Sequence, residues 1–388
     1  LRASGELELL TNCCQYEDSH LQLFKCVCEA TRGASSSSKI GLVTYTTKNI
    51  LGYSAYSLAI NAAYAAHRVY RHKILTPEDG AGYEPADERW NKVKILADAL
   101  SPTEGAWSQH FDGVDYVVWM DADLVVVDFE FNVEDIVSQY PDKDILLSTD
   151  PHPEEIFSLV NTGFVIVKNT PTAKAFLREW WGDRGDRLRG WDQHVFTKLY
   201  MNGNYDDNKS FKEAVQLLAP DAVNTHRPAT TYHQLHNPVL HMIGSVLRHR
   251  KEVFSTGFKS LCLASDISSL PAQLGLTREA LVDIEDRVLS SRAEMARELM
   301  KHIEVKRIAA DAGEEVSYEE VAEMKKTLDE IMKLGDPHKG NKAEVQNIRN
   351  CLFDMETLAI AMQGKPDTYK LSVAEEISMI EWGLDAAF

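Results

Sequence analysis

Two carboxylates, Asp121 and Asp123, stand near the end of the run from Val114 to Val127, a stretch dominated by Val, Tyr, Trp and Met. Such a run reads as a buried strand and its exit. Burying two like charges so close together is costly unless something positive lies between them, so the pattern points to a divalent cation. Side chains alternate along a strand, which would put Asp121 and Asp123 on one face and let both reach the same ion. A second Asp-x-Asp triplet, Asp142-Lys143-Asp144, follows Pro141 in a polar segment and reads as a solvated turn before the strand Ile145-Leu146-Leu147.

Around the acidic strand the chain alternates between strand and helix patterns. Lys39 to Thr46 forms a first core strand after the flexible run Ser35 to Ser38, and Leu58, Ala62, Ala65 and Val69 predict a helix over about 57–72. Trp90, Val93, Leu96, Ala97 and Leu100 predict another helix, stopped before Pro102. Strands are predicted at 145–148, 163–167, 215–218 and 239–242. One helix carries Ala173, Phe176, Leu177 and Trp180 after Pro171, and a shorter one covers 191–201. Apolar strands alternating with helices indicate an α/β sheet, mostly parallel and covered on both faces.

Beyond about residue 270 the pattern becomes helical throughout. Leu281, Ile284 and Val288 begin a long helix. Ser317 and Glu320 form a capping box before Val321, Met324, Leu328 and Ile331, with Gly335 to close that helix. Asn341 and Glu344 open another that carries Val345, Ile348, Leu352 and Met355. The expected organisation is an extension at 1–38, an α/β domain at 39–265 and an all-α region at 270–388.

The chain has 388 residues, 41 Lys plus Arg against 59 Asp plus Glu, and a formal net charge of -18. That acidity argues against a nucleic-acid or anionic-membrane binder, which needs a basic face. No stretch approaches the ~20 apolar residues of a membrane span. The first residue is Leu1, which suggests a trimmed or processed form whose N-terminal anchor lies beyond this chain. Six cysteines, with Cys13, Cys14, Cys26 and Cys28 clustered and Cys262 and Cys351 apart, fit one or two disulfides in an oxidising lumen, or buried thiols, better than a zinc site. Asn208-Lys209-Ser210 is a glycosylation sequon. Neither a Gly-x-Gly-x-x-Gly turn nor a Walker lysine loop follows the first strand.

Six separated pieces occur in a recognisable order: Asn61-Ala-Ala-Tyr64-Ala-Ala-His67, Trp90-Asn-Lys92-Val93, Trp119-Met-Asp121-Ala-Asp123, Asn161-Thr-Gly163-Phe, Trp191-Asp192-Gln193 and His241-Met-Ile-Gly244. Over roughly residues 39–255 the chain therefore resembles glycosyltransferase family 34, retaining enzymes of GT-A architecture that move galactose, xylose or mannose from nucleotide sugars. The resemblance implies a Rossmann-like mixed sheet flanked by helices. It also implies a cation, Mn²⁺ with Mg²⁺ as the alternative, held by Asp121, Asp123 and His241. Without it, His241 would read as a core histidine on a late strand.

Asp192 and Gln193 correspond to the family's acidic-Gln element beneath the anomeric carbon, with Gln193 too weak a nucleophile for covalent capture and Asp192 orienting sugar hydroxyls. Ala122, Asn161, Gly163 and Gly244 are expected to approach the donor closely, and Lys92 to contact its sugar or phosphate. Val43, Thr44 and Tyr45 end the first strand, where open α/β sheets bind ligands, and are expected to hold the nucleoside. The family's basic residue after the His-x-x-Gly element falls here on Val246. Arg248 is taken as the phosphate clamp in its place, with Arg250 and Lys251 beside it in a run that reads equally as a solvated face.

The expected partners are a nucleotide-sugar donor, a glycan or glycoprotein acceptor in the Golgi or secretory lumen, and a second copy or another protein at the C-terminal helices. A rival reading takes Asp121 and Asp123 as the first motif of a haloacid-dehalogenase-type Mg²⁺ phosphatase, with Ser148 or Thr149 as the second motif. A third takes the chain as a non-catalytic sugar-nucleotide-binding scaffold.

Overall fold

The computed structural model describes residues 10–32, 37–85, 87–104, 106–150, 159–185, 192–206, 209–220, 222–226, 238–242 and 247–263, scattered positions from 274 to 306, and 318–332. Two compact units divide the chain: Leu1–Ile243 with Arg250–Val282, and Gly244–His249 with Asp283–Phe388.

The first unit is built on β1 (Ile40–Tyr45), β2 (Arg71–Leu75), β3 (Tyr116–Met120), β4 (Leu124–Val126), β5 (Ile145–Thr149), β6 (Val160–Lys168), the hairpin β7 (Asn204–Asp206) and β8 (Lys209–Ser210), then β9 (Val215–Leu218), β10 (Asn224–His226) and β11 (Val239–His241). Its helices are α1 (His20–Arg32), α2 (Leu51–His67), α3 (Asn91–Ala99), α4 (Val133–Gln139), α5 (Pro171–Gly182), α6 (Asp192–Asn202) and α7 (Phe211–Ala214), followed by α8 (Leu247–Leu263) from Arg250 onward. Six strands make the main sheet, in the order β2-β1-β3-β6-β5-β9. β1 runs parallel to β2 and β3, β6 is antiparallel to β3 and β5, and β9 is parallel to β5. β4 leaves this sheet and joins a smaller one in the order β10-β11-β4, with His241 opposite Leu124.

Helix α2 is buried along almost its whole length, which its Ala, Ser and Leu content permits at close packing distance. Tyr53 and Tyr56 meet Phe254 and Phe258 of α8 at ring-centroid distances of 6.2 and 6.0 Å. Two disulfides, Cys13–Cys26 and Cys14–Cys262, fasten the segment before α1 to α1 itself and to the end of α8, while Cys28 is not in a disulfide. Cys351 and Asn208 lie outside the described residues. No helix among the described residues is long and apolar enough to cross a membrane.

Several sequence expectations need correction. The helix expected over 57–72 runs from Leu51 to His67 and stops at Val69, whose φ of 59° is the left-handed conformation a β-branched side chain resists. The residues after it form β2, a strand whose Arg-His-Lys start hid it from an apolar-run criterion. The single strand expected over 114–127 is two strands in different sheets, and the pleat does not align the two carboxylates because Asp121, Ala122 and Asp123 form the link between β3 and β4. Asp142 is exposed in a turn, as its polar setting suggested.

In the second unit, α9 (Tyr318–Met332) buries Val321, Met324 and Leu328, the stripe that its helical spacing predicted. Ser317, Gly335 and the helix expected after Asn341 lie outside the described residues.

β2 also creates an acid-sensitive feature. Neither ring nitrogen of His72 has a hydrogen-bond partner among the described residues, and burial, with the neighbouring His110 opposing a second positive charge, pushes its pKa down to about 3. His110 is pushed down to about 4 by burial and by Lys73 and Arg71. Both histidines are neutral in the folded chain, whereas unfolded histidine takes up a proton near pH 6.5. The unfolded state therefore binds more protons below that pH, and stability falls as pH drops from about 6.5 toward 4. Between pH 7 and pH 5 the expected loss is about 4 kcal/mol, read as a lower melting temperature, and His72→Leu should reduce that slope.

Candidate active site

The link between β3 and β4 is pinned from three sides. The Asp121 backbone N–H donates to the Gly163 carbonyl on β6 at 2.8 Å, and the Met242 N–H donates to the Asp123 carbonyl at 2.9 Å. From below, Ser57 Oγ donates to the Ala122 carbonyl at 2.6 Å. Asn61 donates to the Leu124 carbonyl at 2.8 Å and accepts from the Val126 N–H at 3.0 Å. Ser57 and Asn61 are one helical turn apart on α2, so a single buried face fixes the backbone on both sides of Asp123.

His241 arrives from β11. Its Nε2 lies 3.3 Å from Asp123 Oδ1 and 3.8 Å from Asp121 Oδ2. One ligand atom from each of Asp121, Asp123 and His241 lies within 4.8 Å of the others, a set of two hard oxygens and one imidazole nitrogen suited to Mn²⁺ or Mg²⁺. Gly163 makes room for it: a Cβ at that position would sit 1.9 Å from His241 Cε1. The donor set and this glycine fit a bound divalent cation.

The outward oxygens of the two carboxylates are already engaged. Trp119 Nε1 donates to Asp121 Oδ1 at 2.6 Å, and Lys92 Nζ lies 3.2 Å from the same oxygen. Arg250 from α8 lies 2.8 Å from Asp123 Oδ2. Burial alone would raise the Asp123 pKa, yet the Arg250 guanidinium, with His241 beside it, holds it well below the usual carboxylate range.

A second cluster adjoins the first through Lys92. The ammonium is buried, 3.1 Å from Asp192 Oδ2 and 3.2 Å from Thr162 Oγ1. Burial would lower its pKa, but Asp121 and Asp192 raise it above the ordinary lysine value, so Lys92 stays charged. Thr162 Oγ1 donates to Asp192 Oδ2 at 2.6 Å, and its backbone N–H donates to Gln193 Oε1 at 3.0 Å, which fixes both residues at the start of α6. Asn161 Oδ1 accepts from the Gly163 N–H at 3.0 Å and so shapes β6 locally.

Val43, Thr44 and Tyr45 end β1 in buried positions, with Val43 opposite Trp119. Gly244, Trp191 and the side chain of Arg248 lie outside the described residues. Sequence reasoning missed Ser57, Trp119 and Thr162, ordinary core residues by pattern, and named Arg250 only as one cation of a run. The phosphatase reading fits poorly: Ser148 and Thr149 lie on β5, separated by β6 from β3, the strand that leads into Asp121.

Residues 113–234 match the nucleotide-diphospho-sugar transferase family. The matched segment carries Asp121, Asp123, Asn161, Gly163, Asp192 and Gln193 and stops short of His241. With its mixed sheet flanked by helices, the fold is of the GT-A type, and the chain resembles glycosyltransferase family 34. No curated protein matches the sequence significantly.

Among solved structures, a glycosyltransferase involved in glycosylation of the major capsid of PBCV-1 is 14% identical, with 55% of this chain and 98% of that one covered at a TM-score of 0.43. Mouse xyloside xylosyltransferase 1 is 14% identical, with 52% and 97% covered at 0.29. The galactosyltransferase LgtC, solved with donor and acceptor sugar analogues, is 12% identical, with 63% and 94% covered at 0.34.

Proposed function

We propose that the chain is a retaining glycosyltransferase that moves a hexose or pentose from a nucleotide sugar, UDP-galactose, UDP-xylose or GDP-mannose, to a glycan or glycoprotein acceptor. The observation that carries this reading is the convergence of Asp121, Asp123 and His241 beside the Lys92–Asp192 pair, within and next to a nucleotide-diphospho-sugar transferase segment. A Mn²⁺ ion held by the three would supply Lewis-acid neutralisation of the diphosphate.

The protein's own groups do the rest. Lys92, charged and fixed, presents an ammonium where negative charge grows on the leaving group. Asp192, tied to Lys92 and Thr162, orients sugar hydroxyls. Gln193, anchored through Thr162, places a weakly nucleophilic amide beneath the anomeric carbon and stabilises an oxocarbenium-like centre while the acceptor enters on the face the diphosphate leaves. The departing phosphate takes the acceptor proton. Val43, Thr44 and Tyr45 hold the nucleoside and Arg248 the diphosphate, with Gly244 and Ala122 giving close backbone approach.

The catalytic domain in this reading is 39–265, with 1–38 and 270–388 as appendages. The two disulfides support a place in the secretory lumen.

The test is a panel of nucleotide sugars incubated with the protein and Mn²⁺, scored by hydrolysis and by melting temperature, because a ligand of the native state stabilises it. One nucleotide sugar should be hydrolysed and raise the melting temperature, the effect vanishing with EDTA. NMR of the product with an acceptor should show the donor's anomeric configuration. Hydrolysis of phosphomonoesters with no effect of any nucleotide sugar would overturn the proposal.

A further inference from the structure

Arg250 lies against the acidic link in a way that does not suit a phosphate clamp. Its guanidinium lies 2.8 Å from Asp123 Oδ2, Nε donates to the Met242 carbonyl at 3.0 Å, and a third nitrogen donates to Tyr53 Oη at 3.4 Å. The Arg250 Cζ lies 5.2 Å from the centre of the Tyr53 ring, and the side chain is only 16% exposed. Each of the three guanidinium nitrogens thus has a protein partner, and the group's shortest contact is with the Asp123 carboxylate. Asp123 Oδ1 faces His241 while Oδ2 faces Arg250, so the fixed positive charge is one carboxylate's width from the place a divalent cation would take.

We propose that Arg250 is a built-in counter-ion of the Asp121–Asp123–His241 site, which keeps the site weak toward a bare divalent cation and makes cation uptake depend on a nucleoside diphosphate. This rests on reading the triad as a metal site. Lys92 pairs with Asp121 and Asp192, and Arg250 with Asp123, so three carboxylates meet two fixed cations before any metal arrives. An incoming divalent ion finds most of the attractive field cancelled, and a diphosphate restores it by adding negative charge on the open side. Cation and nucleotide then favour each other's binding, and by linkage the coupling is equal in both directions.

Removing Arg250 has two opposed consequences. Asp123 loses an orienting partner, which weakens the cation site, and the site loses a positive charge that repels a doubly charged ion at short range. The second is larger, because Coulomb repulsion scales with the ion's double charge, whereas the first is of the order of one charge-assisted hydrogen bond. Arg250 is therefore a positioning residue with a definite electrostatic sign. A role confined to packing would leave cation affinity unchanged or lower it.

The test is Mn²⁺ binding followed by the loss of its free-ion electron paramagnetic resonance signal, for the wild type, Arg250→Gln and Arg250→Lys, alone and with UDP or GDP. Circular-dichroism melting confirms folding, with Arg250→Met in reserve should the Gln variant not fold. Arg250→Gln should bind bare Mn²⁺ about tenfold or more tightly than the wild type and lose most of the nucleotide enhancement, while Arg250→Lys, which keeps the charge, stays within about threefold. Equal or weaker Mn²⁺ binding by a folded Gln or Met variant would overturn the inference while leaving the metal site intact. A wild type that binds no Mn²⁺ even with nucleotide would overturn the metal reading itself, and the inference with it.

Discussion

Asp123→Asn should lower Mn²⁺-dependent nucleotide-sugar turnover by about a thousandfold or more, because loss of several kcal/mol of transition-state charge stabilisation translates into that factor. The replacement keeps the shape of the side chain and an oxygen for Arg250, so the circular-dichroism spectrum should be unchanged. The loss should lie mainly in kcat, since the backbone around Asp123 is held by Ser57, Asn61 and Met242 and does not depend on the carboxylate. Activity retained within tenfold at saturating Mn²⁺ would show that Asp123 does not hold the catalytic ion.

Lys92→Met carries the largest expected cost to stability. The ammonium neutralises Asp121 and Asp192 at 3.2 and 3.1 Å, and its side chain is only 7% exposed. Deleting it leaves two carboxylates facing one another in a site where Asp192 is itself buried, a change that costs about 3–5 kcal/mol. In a unit of this size that corresponds to a melting temperature lower by on the order of 10 °C. The double variant Lys92→Met/Asp192→Asn should recover a large part of the loss, because the two sites share one interaction. Additive losses in this cycle would mean that the Lys92–Asp192 pair contributes nothing of its own. Mn²⁺ should also partly rescue the single variant, by supplying positive charge to Asp121.

What could be read from sequence follows from which interactions are local. The strand ending at Met120, the helix after Pro171 and the stripe Val321, Met324 and Leu328 all express a period within a few residues, and all are found. β2 escaped because its buried positions are His72, Ile74 and Leu75, which leaves an apolar run of only two residues after a charged start. The turn at Asp121–Asp123 escaped for a different reason. Whether an apolar run stays in one sheet or crosses to another is decided by its partners, here β6 on one side and β11 on the other, and partners leave no trace in the run itself.

The site shows the same division. Asp121 and Asp123 stand out by composition, while His241 lies far along the chain and could be placed beside them only by resemblance. Thr162, which ties Asp192, Gln193 and Lys92 together, is one more β-branched residue in a strand until coordinates show its hydroxyl between them. Arg250 was indistinguishable from its neighbours Arg248 and Lys251 because helical facing, set by where α8 starts, selects which cation turns inward.

One cation position shared by Asp121, Asp123 and His241 is central to the proposed chemistry. Anomalous diffraction at the manganese edge, from a crystal of the protein soaked with Mn²⁺ and UDP, measures it directly. A single strong peak within coordination distance of Asp121 Oδ2, Asp123 Oδ1 and His241 Nε2, and adjoining the diphosphate, is the expected result. Diphosphate bound at the end of β1 with no manganese peak among those three side chains would contradict it.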